Sequence, residues 1–277
     1  MDLTIALAQL ASEPGDPTAN LIRAARLVCE TPAAQILALP ELFACGYDPD
    51  SIAADPVGWS LTAEPGPPAP DSPLAPLASA AAQAKTWVLA GASVATAGRP
   101  HNGIVVIDAS GSVRGHYAKT HLWGFEKKAF DPGADLVMIE IEKVSIGLGI
   151  CYDAGFPELS RAYAQAGAHA VLFCSAFATG PTEHRYRVYH PARALENTVY
   201  TLVANAVGDI AGETYFGDSG AWSPAGTPLG AAGPEEGVSV VEISLAEIGR
   251  ARAELPYLTD LRTDLLTAGA THVTRLR

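Results

Sequence analysis

Apolar residues follow two different spacings along this chain, and the alternation of those spacings predicts strands interleaved with helices. Four stretches are apolar on both faces, as buried strands are: 3–11, 144–150, 168–176 and 199–207. Others show helical spacing: 17–30, which begins at Asp16-Pro17, and 74–85, 157–167 and 245–255. Short strands are expected at 35–41, 86–94 and 237–245. Strands that alternate with helices in this way indicate an α/β fold.

Two segments have the turn chemistry of β-hairpins, so we expect mixed rather than purely parallel sheets. Residues 102–119 turn at Ala109–Ser112, and residues 219–233 turn at Pro224-Ala225-Gly226. The Pro-rich stretch 63–73 is expected to be a surface loop.

Two further expectations concern the second half of the chain and its overall organisation. In 183–197 we expect Pro191 to kink or restart a helix. No domain boundary is evident, so we expect one domain over 1–277, with a short tail of weak pattern from about 255.

Composition narrows the class of protein. Of the 277 residues 48% are hydrophobic and 17% charged, which is typical of a well-packed globular chain. The formal net charge of -12 argues against a nucleic-acid partner. No apolar run reaches membrane length, and the N-terminus lacks the features of a signal peptide. The four cysteines form no C-x-x-C pair. We therefore expect a cytoplasmic protein with reduced thiols, no membrane partner, no metal and no cofactor.

The stretch LGICYDAGFPE, residues 148–158, places Cys151 at the end of a predicted buried strand. A free cysteine is often a small core residue. At the carboxyl end of a strand, however, a side chain faces the crevice where α/β proteins bind ligands, and the turn that follows presents backbone N–H groups. The position favours a nucleophile.

A nucleophilic thiol needs a group that activates it. His121 is the obvious candidate, but the sequence shows no carboxylate placed to orient it. A carboxylate base together with an ammonium also activates a thiol. Glu41 in LALPELF and Lys119 in HYAKTHLW supply both groups, each at a predicted strand end.

Together these three segments resemble the nitrilase superfamily of carbon–nitrogen hydrolases, most closely its small-amide amidase branch. Glu41 follows a strand and Pro40, Lys119 lies in Tyr-x-Lys-x-His-Leu, and Cys151 precedes Tyr-Asp. Three further segments fall in the expected order: FDPG at 130–133, ARALEN at 192–197 and SGAWSPAG at 219–226. The resemblance covers nearly the whole chain.

The resemblance implies a four-layer α-β-β-α sandwich with two mixed sheets and a Glu-Lys-Cys triad. Cys151 would attack the substrate, and Glu41 would move the protons. Lys119 and the backbone N–H of Tyr152 would stabilise the oxyanion. Glu126 matches a second glutamate that family members often carry shortly after the lysine.

Each assignment has a structural alternative. Glu41 could be a carboxylate in the first turn of a helix. Lys119 could be solvated, and Glu126 could pair with Lys127 or Lys128. For Asp153, a turn-stabilising role and a substrate contact remain open, and His121 is expected to be structural. Arg193 and Glu196 are expected to form an ion pair beneath the site, and Cys45 and Cys174 are expected to pack.

Tyr152-Asp153 stands where nitrilases proper usually have Trp-Glu, so a small primary amide is the expected substrate. Trp123, Phe125, Tyr152 and Phe177 could wall its pocket, whereas Arg185 and Arg187 cannot be placed from sequence. The alternatives are a nitrilase, an N-carbamoyl amidohydrolase with the same triad, or an inactive scaffold of this fold. A thiol redox protein would need a resolving cysteine near Cys151, and the sequence has none there. By resemblance, a homodimer or higher homo-oligomer is expected.

Overall fold

The computed structural model describes residues 2–265, which form two large sheets and eight helices. The strands are β1 Asp2–Gln9, β2 Ile36–Ala38, β3 Trp87–Val94, β4 His101–Ile107, β5 Val113–Ala118, β6 Met138–Ile141, β7 Val144–Ile150, β8 Ala170–Ser175, β9 Tyr200–Asn205, β10 Val207–Ile210, β11 Glu213–Phe216, β12 Gly220–Trp222, β13 Pro228–Ala231 and β14 Gly237–Ser244. The helices are α1 Pro17–Glu30, α2 Pro49–Ala54, α3 Ala75–Ala84, α4 Glu126–Ala129, α5 Pro157–Gln165, α6 Pro181–Asn197, α7 Leu245–Glu254 and α8 Tyr257–Asp260. Among residues 2–265, no helix combines the length and apolar character needed to cross a membrane.

Both large sheets are mixed, as the hairpins predicted. The first has the order β14-β1-β2-β3-β4-β5, and the second has the order β13-β12-β9-β8-β7-β6. In each sheet three central strands are parallel, namely β1-β2-β3 and β7-β8-β9, and the hairpin strands pair antiparallel beside them. The carboxyl ends of the parallel strands therefore lie at one edge of each sheet.

Apolar side chains fill three layers of core, which confirms the four-layer α-β-β-α arrangement. Between the sheets, Ile5 and Leu7 of β1 pack in one cluster with Leu148 and Ile150 of β7. The outer face of the first sheet packs on α1 and α3. The outer face of the second sheet packs on α5 and α6. Buried on both faces, the central strands read as continuous apolar runs, which is why the sequence predicted them.

Helix α6 does not restart at Pro191, which was one of the two effects expected of that proline. The helix is not restarted there but runs continuously from Pro181 to Asn197, with Pro191 inside it. Proline removes one backbone donor, a loss that tertiary packing can offset. Tyr186, His190 and Ala194 of this helix are buried against the second sheet, and this packing holds the helix together across the proline.

Other short elements escaped the sequence analysis. Strands β6, β10 and β11 and helices α2 and α4 have four to six residues each, too few for a period to stand out. The predicted loop 63–73 contains no helix or strand and is largely exposed. In the predicted tail, α8 and a 3-10 turn at Thr263–Leu265 follow α7, and residues 266–277 lie outside the described part of the chain.

Candidate active site

Three strand ends bring the predicted triad together. Glu41 follows β2 in a turn, Lys119 comes directly after β5, and Cys151 comes directly after β7. The backbone N–H of Glu41 donates to the carbonyl of Ser175 at the end of β8, across 3.4 Å. This bond joins the strand ends of the two sheets at the place where the three side chains meet.

Two glycines let the backbones around these residues approach closely. A Cβ on Gly91 of β3 would lie 2.0 Å from the carbonyl oxygen of Pro40 and 2.9 Å from Cα of Glu41. A Cβ on Gly133 would lie 2.3 Å from the carbonyl oxygen of Ala118. Any larger residue at either position would displace the segment that carries Glu41 or Lys119. The FDPG segment thus packs against the backbone next to Lys119.

Lys119 lies between two carboxylates and is fully buried with them. Its Nζ is 2.6 Å from Oε1 of Glu41 and 2.7 Å from Oε1 of Glu126, and all three side chains have 0% exposure. A lysine ammonium carries three N–H donors, and these bonds use two of them. The solvated lysine and the pairing of Glu126 with Lys127 or Lys128 are therefore both wrong. Glu41 lies in a turn, so the helix alternative for it is wrong as well.

Two residues that the sequence analysis missed complete this cluster. Asn102 of β4 donates its Nδ2 to Oε1 of Glu41 at 2.7 Å. The hydroxyl of Tyr47 donates to Oε1 of Glu126 at 2.6 Å, and Oε2 of Glu126 accepts from the backbone N–H of Trp123 at 2.8 Å. Oε2 of Glu41 is buried and has no hydrogen-bond partner within residues 2–265. Among the carboxylate oxygens of this cluster, it is the one without a partner in the described part of the chain.

Cys151 has the backbone geometry of a strained turn. Its φ of +43° lies in the left-handed region, which residues with a Cβ seldom adopt. It begins a 3-10 turn, Cys151–Gly155, that leads from β7 towards α5. Strain of this kind costs about 1–3 kcal/mol and is concentrated at functional sites. The side chain is partly exposed and lines a cavity, unlike Cys45 and Cys174, which are fully buried as expected.

The surroundings keep the thiol neutral at rest. Burial raises the pKa of Cys151 well above its ordinary value, and the charge of Glu41 raises it further. Lys119 and the backbone N–H of Ala176 lower that pKa without reversing the shift. Because Glu41 and Lys119 both act on the thiol, all three triad members lie within electrostatic reach of one another.

The same surroundings set Glu41 at the pKa of a useful base. The pKa of its carboxyl is raised to about 7: burial raises it most, the charge of Lys119 offsets part of that rise, and the charge of Glu126 adds to it. For Lys119, burial alone would lower the pKa, but the charges of Glu126 and Glu41 outweigh burial and raise it. The lysine therefore stays charged, while Glu41 exchanges a proton near neutral pH.

Asp153 joins the turn after Cys151 to the segment around Lys119. Its fully buried carboxylate accepts five hydrogen bonds: from the hydroxyl of Tyr117 (2.8 Å), the N–H of Ile150 (3.0 Å), the hydroxyl of Thr120 (2.9 Å), the N–H of His121 (3.0 Å) and the His121 ring, whose Nδ1 is 2.9 Å away. The turn-stabilising reading of Asp153 is confirmed. The expectation that no carboxylate orients His121 was wrong, because Asp153 does so.

His121 and the ARALEN segment support the same turn from two sides. The ring of His121 stacks on Phe156, with centroids 3.7 Å apart, which fits its expected structural role. Arg193 forms the expected ion pair with Glu196 at 2.8 Å, and its Nε donates to the carbonyl of Ala154 at 3.0 Å. Arg193 therefore holds the turn from the side of α6, and Glu196 holds Arg193.

A cavity of about 220 Å³ opens beside Cys151. The four aromatic residues expected to wall it all line it: Trp123, Phe125, Tyr152 and Phe177. Trp123 and Tyr152 pack edge to face, with ring centroids 4.9 Å apart. Tyr47, Tyr215 and Ala176 extend this wall. The space is small and mostly apolar, which suits a short uncharged acyl group.

The two arginines that sequence could not place have different positions. The guanidinium of Arg185 lies 5.6 Å from the centre of the Trp123 ring, and this residue lines the cavity, as Glu213 does. Both are exposed and stand at its mouth. Arg187 instead pairs with Asp218 at 2.9 Å. One basic side chain, that of Arg185, thus lines the cavity.

Comparison with known proteins gives a consistent result. A sequence model of the family described as carbon-nitrogen hydrolase matches residues 4–253. An (R)-stereoselective amidase of Pseudomonas sp is 34% identical over 264 residues, which span 94% of this chain and 92% of that protein. The 2-oxoglutaramate amidase of Bacillus subtilis (strain 168) is 30% identical over 271 residues, 96% of this chain and 100% of that protein.

Solved structures of similar proteins share the fold. A double mutant of the amidase from Nesterenkonia sp. AN1, in complex with acrylamide, superposes with a TM-score of 0.80 at 31% identity over 95% of each chain. Another mutant of that amidase shows covalent addition of the acetamide moiety of fluoroacetamide at its active-site cysteine. It has a TM-score of 0.78 at 32% identity, again over 95% of each chain.

Proposed function

The chain belongs to the carbon–nitrogen hydrolase family, and on that premise we propose that it is an amidase, a hydrolase of carbon–nitrogen bonds other than peptide bonds. Its substrate is a small primary amide, and its products are a carboxylic acid and ammonia. The observation that carries the proposal is the grouping of Glu41 and Lys119 around Cys151 beside an apolar cavity.

In the first step Sγ of Cys151 bonds to the amide carbon while Glu41 takes the thiol proton. The carbonyl oxygen becomes an oxyanion. The remaining N–H of Lys119 and the backbone N–H of Tyr152 donate hydrogen bonds to it. A thiol that is neutral at rest and a carboxylate with a pKa of about 7 suit a proton transfer that accompanies the attack.

The intermediate then collapses and is hydrolysed. Glu41 returns its proton to the leaving nitrogen, the carbon–nitrogen bond breaks, and ammonia departs from a Cys151 thioester. Glu41 next accepts a proton from a water molecule, whose oxygen attacks the thioester carbon. The carbon–sulfur bond breaks, the thiolate regains the proton, and the acid leaves. Glu126 acts by holding Lys119 in place, through the bond at 2.7 Å.

The cavity sets the class of substrate. Trp123, Tyr152 and Phe177 contact the acyl chain, and the volume of about 220 Å³ limits its length. Similarity to amidases, one of them named as (R)-stereoselective, supports an amide as substrate.

One observation favours the N-carbamoyl amidohydrolase alternative. Arg185 lines the cavity and is exposed, so its guanidinium could pair with a substrate carboxylate. Glu213 lines the same cavity and would repel such a group. We therefore rank uncharged amides first, ureido acids second and nitriles third.

A substrate panel tests the proposal. Ammonia release is measured from small primary amides, nitriles and ureido acids, with Cys151→Ala as the control. We expect the highest kcat/KM for small amides and no release by the control. An inactive scaffold would release nothing from any of them. It would also let iodoacetamide label Cys151 no faster than the exposed Cys29.

The proposal also covers the location, the domain organisation and the self-association of the protein. We place the protein in the cytoplasm as one domain that unfolds in a single transition, and as a homodimer or larger homo-oligomer. Val188 and Leu195 support self-association, because they lie seven residues apart on one face of α6 and are 48% and 40% exposed. Light scattering after size exclusion measures the assembly, and Val188→Glu should reduce its mass.

A further inference from the structure

Asn102 is a fully buried amide in the middle of the charged cluster. It lies on β4, and its Nδ2 is 2.7 Å from Oε1 of Glu41 and 3.5 Å from Oε1 of Glu126. Its backbone carbonyl accepts from the N–H of Lys119 at 2.8 Å. One strand residue therefore contacts the base through its side chain and the lysine through its backbone.

The orientation of this amide is fixed by its neighbours. With the amide turned over, Oδ1 would face two carboxylates, and two acceptors would repel each other without a hydrogen between them. In the observed orientation Oδ1 is buried and has no hydrogen-bond partner in the described part of the chain. A buried acceptor without a partner destabilises a fold. The amide is therefore placed to serve Glu41 rather than to stabilise the strand.

We propose that Asn102 is a positioning residue that directs the proton of Cys151 to Oε2 of Glu41. Oε1 accepts from Nζ of Lys119 and from Nδ2 of Asn102, and these two bonds occupy both of its lone pairs. Oε2 has no partner within residues 2–265 and keeps both lone pairs. The thiol proton moves to Oε2, and the same oxygen later delivers it to the leaving nitrogen. This inference rests on the roles given to Cys151 and Glu41 in the proposed function.

Loss of the amide changes both the geometry and the acidity of the base. Without Nδ2, one lone pair of Oε1 is vacant, and the carboxylate is free to turn about its last bond. A donor to a carboxylate stabilises the ionised form, so its removal raises the pKa of Glu41 above about 7. The base is then protonated over more of the neutral range, and the acid limb of the pH profile moves upward.

Asn102→Leu tests the inference, since leucine has a similar volume and no donor. At pH 7 we expect kcat/KM to fall about 10- to 100-fold, and the midpoint of the acid limb to rise by about one pH unit. Part of the loss should be recovered at pH 9.

Ser93→Ala is the matched control, because Ser93 lies opposite Asn102 on β3 and is also fully buried. It should keep the wild-type profile. If Asn102→Leu does not fold, Asn102→Ser removes the same donor with a smaller side chain.

A second readout separates this inference from the proposed function. The rate at which iodoacetamide alkylates Cys151 is measured against pH, without substrate. We expect an inflection near pH 7 in the wild-type protein and a higher inflection in Asn102→Leu. Should the wild-type protein label in this way but hydrolyse no amide, the proposed function fails and the role of Asn102 stands. Equal inflections in both proteins, with a lower Tm in the variant, would make Asn102 a structural residue only and overturn the inference.

Discussion

The interior of this protein holds ionisable side chains in two contrasting settings. In the cluster of Glu41, Lys119 and Glu126, the lysine lies 2.6 and 2.7 Å from the two carboxylates. On the outer face of the second sheet, His190 is equally buried among aromatic rings. It stacks on Trp222, with ring centroids 5.3 Å apart. Neither ring nitrogen of His190 has a hydrogen-bond partner within residues 2–265.

The difference shows what burial alone does to a base. Burial and, to a smaller extent, the nearby charge of Arg193 together lower the pKa of His190 to about 3, so the ring is neutral. Burial acts on Lys119 in the same direction, but Glu126 and Glu41 reverse it, and the ammonium is kept. Lys119 keeps its charge while buried because two carboxylates surround it. The protein assembles such partners at the strand ends that face Cys151.

The largest effect should come from removing the cation of the cluster. Lys119→Ala loses one proposed oxyanion donor and leaves Glu41 and Glu126 without the positive charge that lies between them. Loss of a single such donor typically lowers the rate by about 10²–10³-fold. We expect kcat/KM to fall by about 10³-fold while the near-UV circular dichroism spectrum of the folded protein is retained. Lys143→Ala, at an exposed lysine, is the control and should be fully active. Wild-type turnover in Lys119→Ala would show that the lysine has no role in the reaction.

A smaller effect is expected from Asp153, another buried ionisable group, which is held by hydroxyl, backbone N–H and imidazole groups. Asp153→Ala removes all five bonds of this carboxylate, and four of them join the turn after Cys151 to the segment around Lys119. We expect kcat to fall by about 10²-fold and the free energy of unfolding to fall by about 3 kcal/mol. Steady-state kinetics and urea unfolding measure the two quantities, with the exposed Asp50→Ala as control. A lower stability with unchanged kcat would show that the active geometry does not need this carboxylate.

His190 gives the opposite prediction, because replacing it should stabilise the protein. The pKa of the folded histidine lies at about 3, below its ordinary value of about 6.5. Protons therefore bind more readily to the unfolded chain, and stability falls as the pH drops below about 6.5. The loss is about 1.4 kcal/mol per pH unit and continues down to about pH 3. His190→Phe removes this dependence.

Urea unfolding of His190→Phe at two pH values tests the predicted direction of this pH dependence. The quantity compared is the free energy of unfolding of the variant minus that of the wild-type protein. We expect this difference to be about 2 kcal/mol larger at pH 5 than at pH 7.5. His184→Phe, at an exposed position of α6, should show no such difference. An equal gain at both pH values would mean that His190 does not resist protonation in the folded state.

The smallest effect is expected at the mouth of the cavity. Arg185 stacks on Trp123 and is exposed, and such contacts contribute about 0.5–1 kcal/mol. Arg185→Ala should therefore raise KM for a neutral amide about 2- to 5-fold, with kcat unchanged. Arg187→Ala, which breaks only a pair with Asp218, is the control. A loss of 100-fold or more, confined to ureido acids, would favour the N-carbamoyl alternative.

The sequence predicted the long elements well and the short ones poorly, for physical reasons. Helix α1 and strand β7 have the predicted bounds, because each has a strong period or a continuous apolar run that ends at a clear signal. Strands β10 and β11 are short and partly polar, so no period marks them. At Pro191 the helix does not restart, since packing against the second sheet outweighs the missing donor.

The residues of the candidate site were also predictable from the sequence only in part. Glu41, Lys119, Cys151 and Glu126 stand in recognisable local motifs, and the structure brings them together. Asn102 does not stand out, because a polar residue in an apolar strand resembles any solvent-facing position. The bonds of Asp153 join segments more than thirty residues apart, and a linear pattern does not contain that proximity.

The central claim is that Cys151 is the nucleophile and carries the acyl group. Mass spectrometry tests it most directly, after the protein is mixed with a slowly hydrolysed amide and quenched in acid. We predict a mass increase equal to the acyl group minus one hydrogen on the peptide that contains Cys151, and none in Cys151→Ala. An adduct on Cys29 instead, or turnover with Cys151 never modified, would contradict the account.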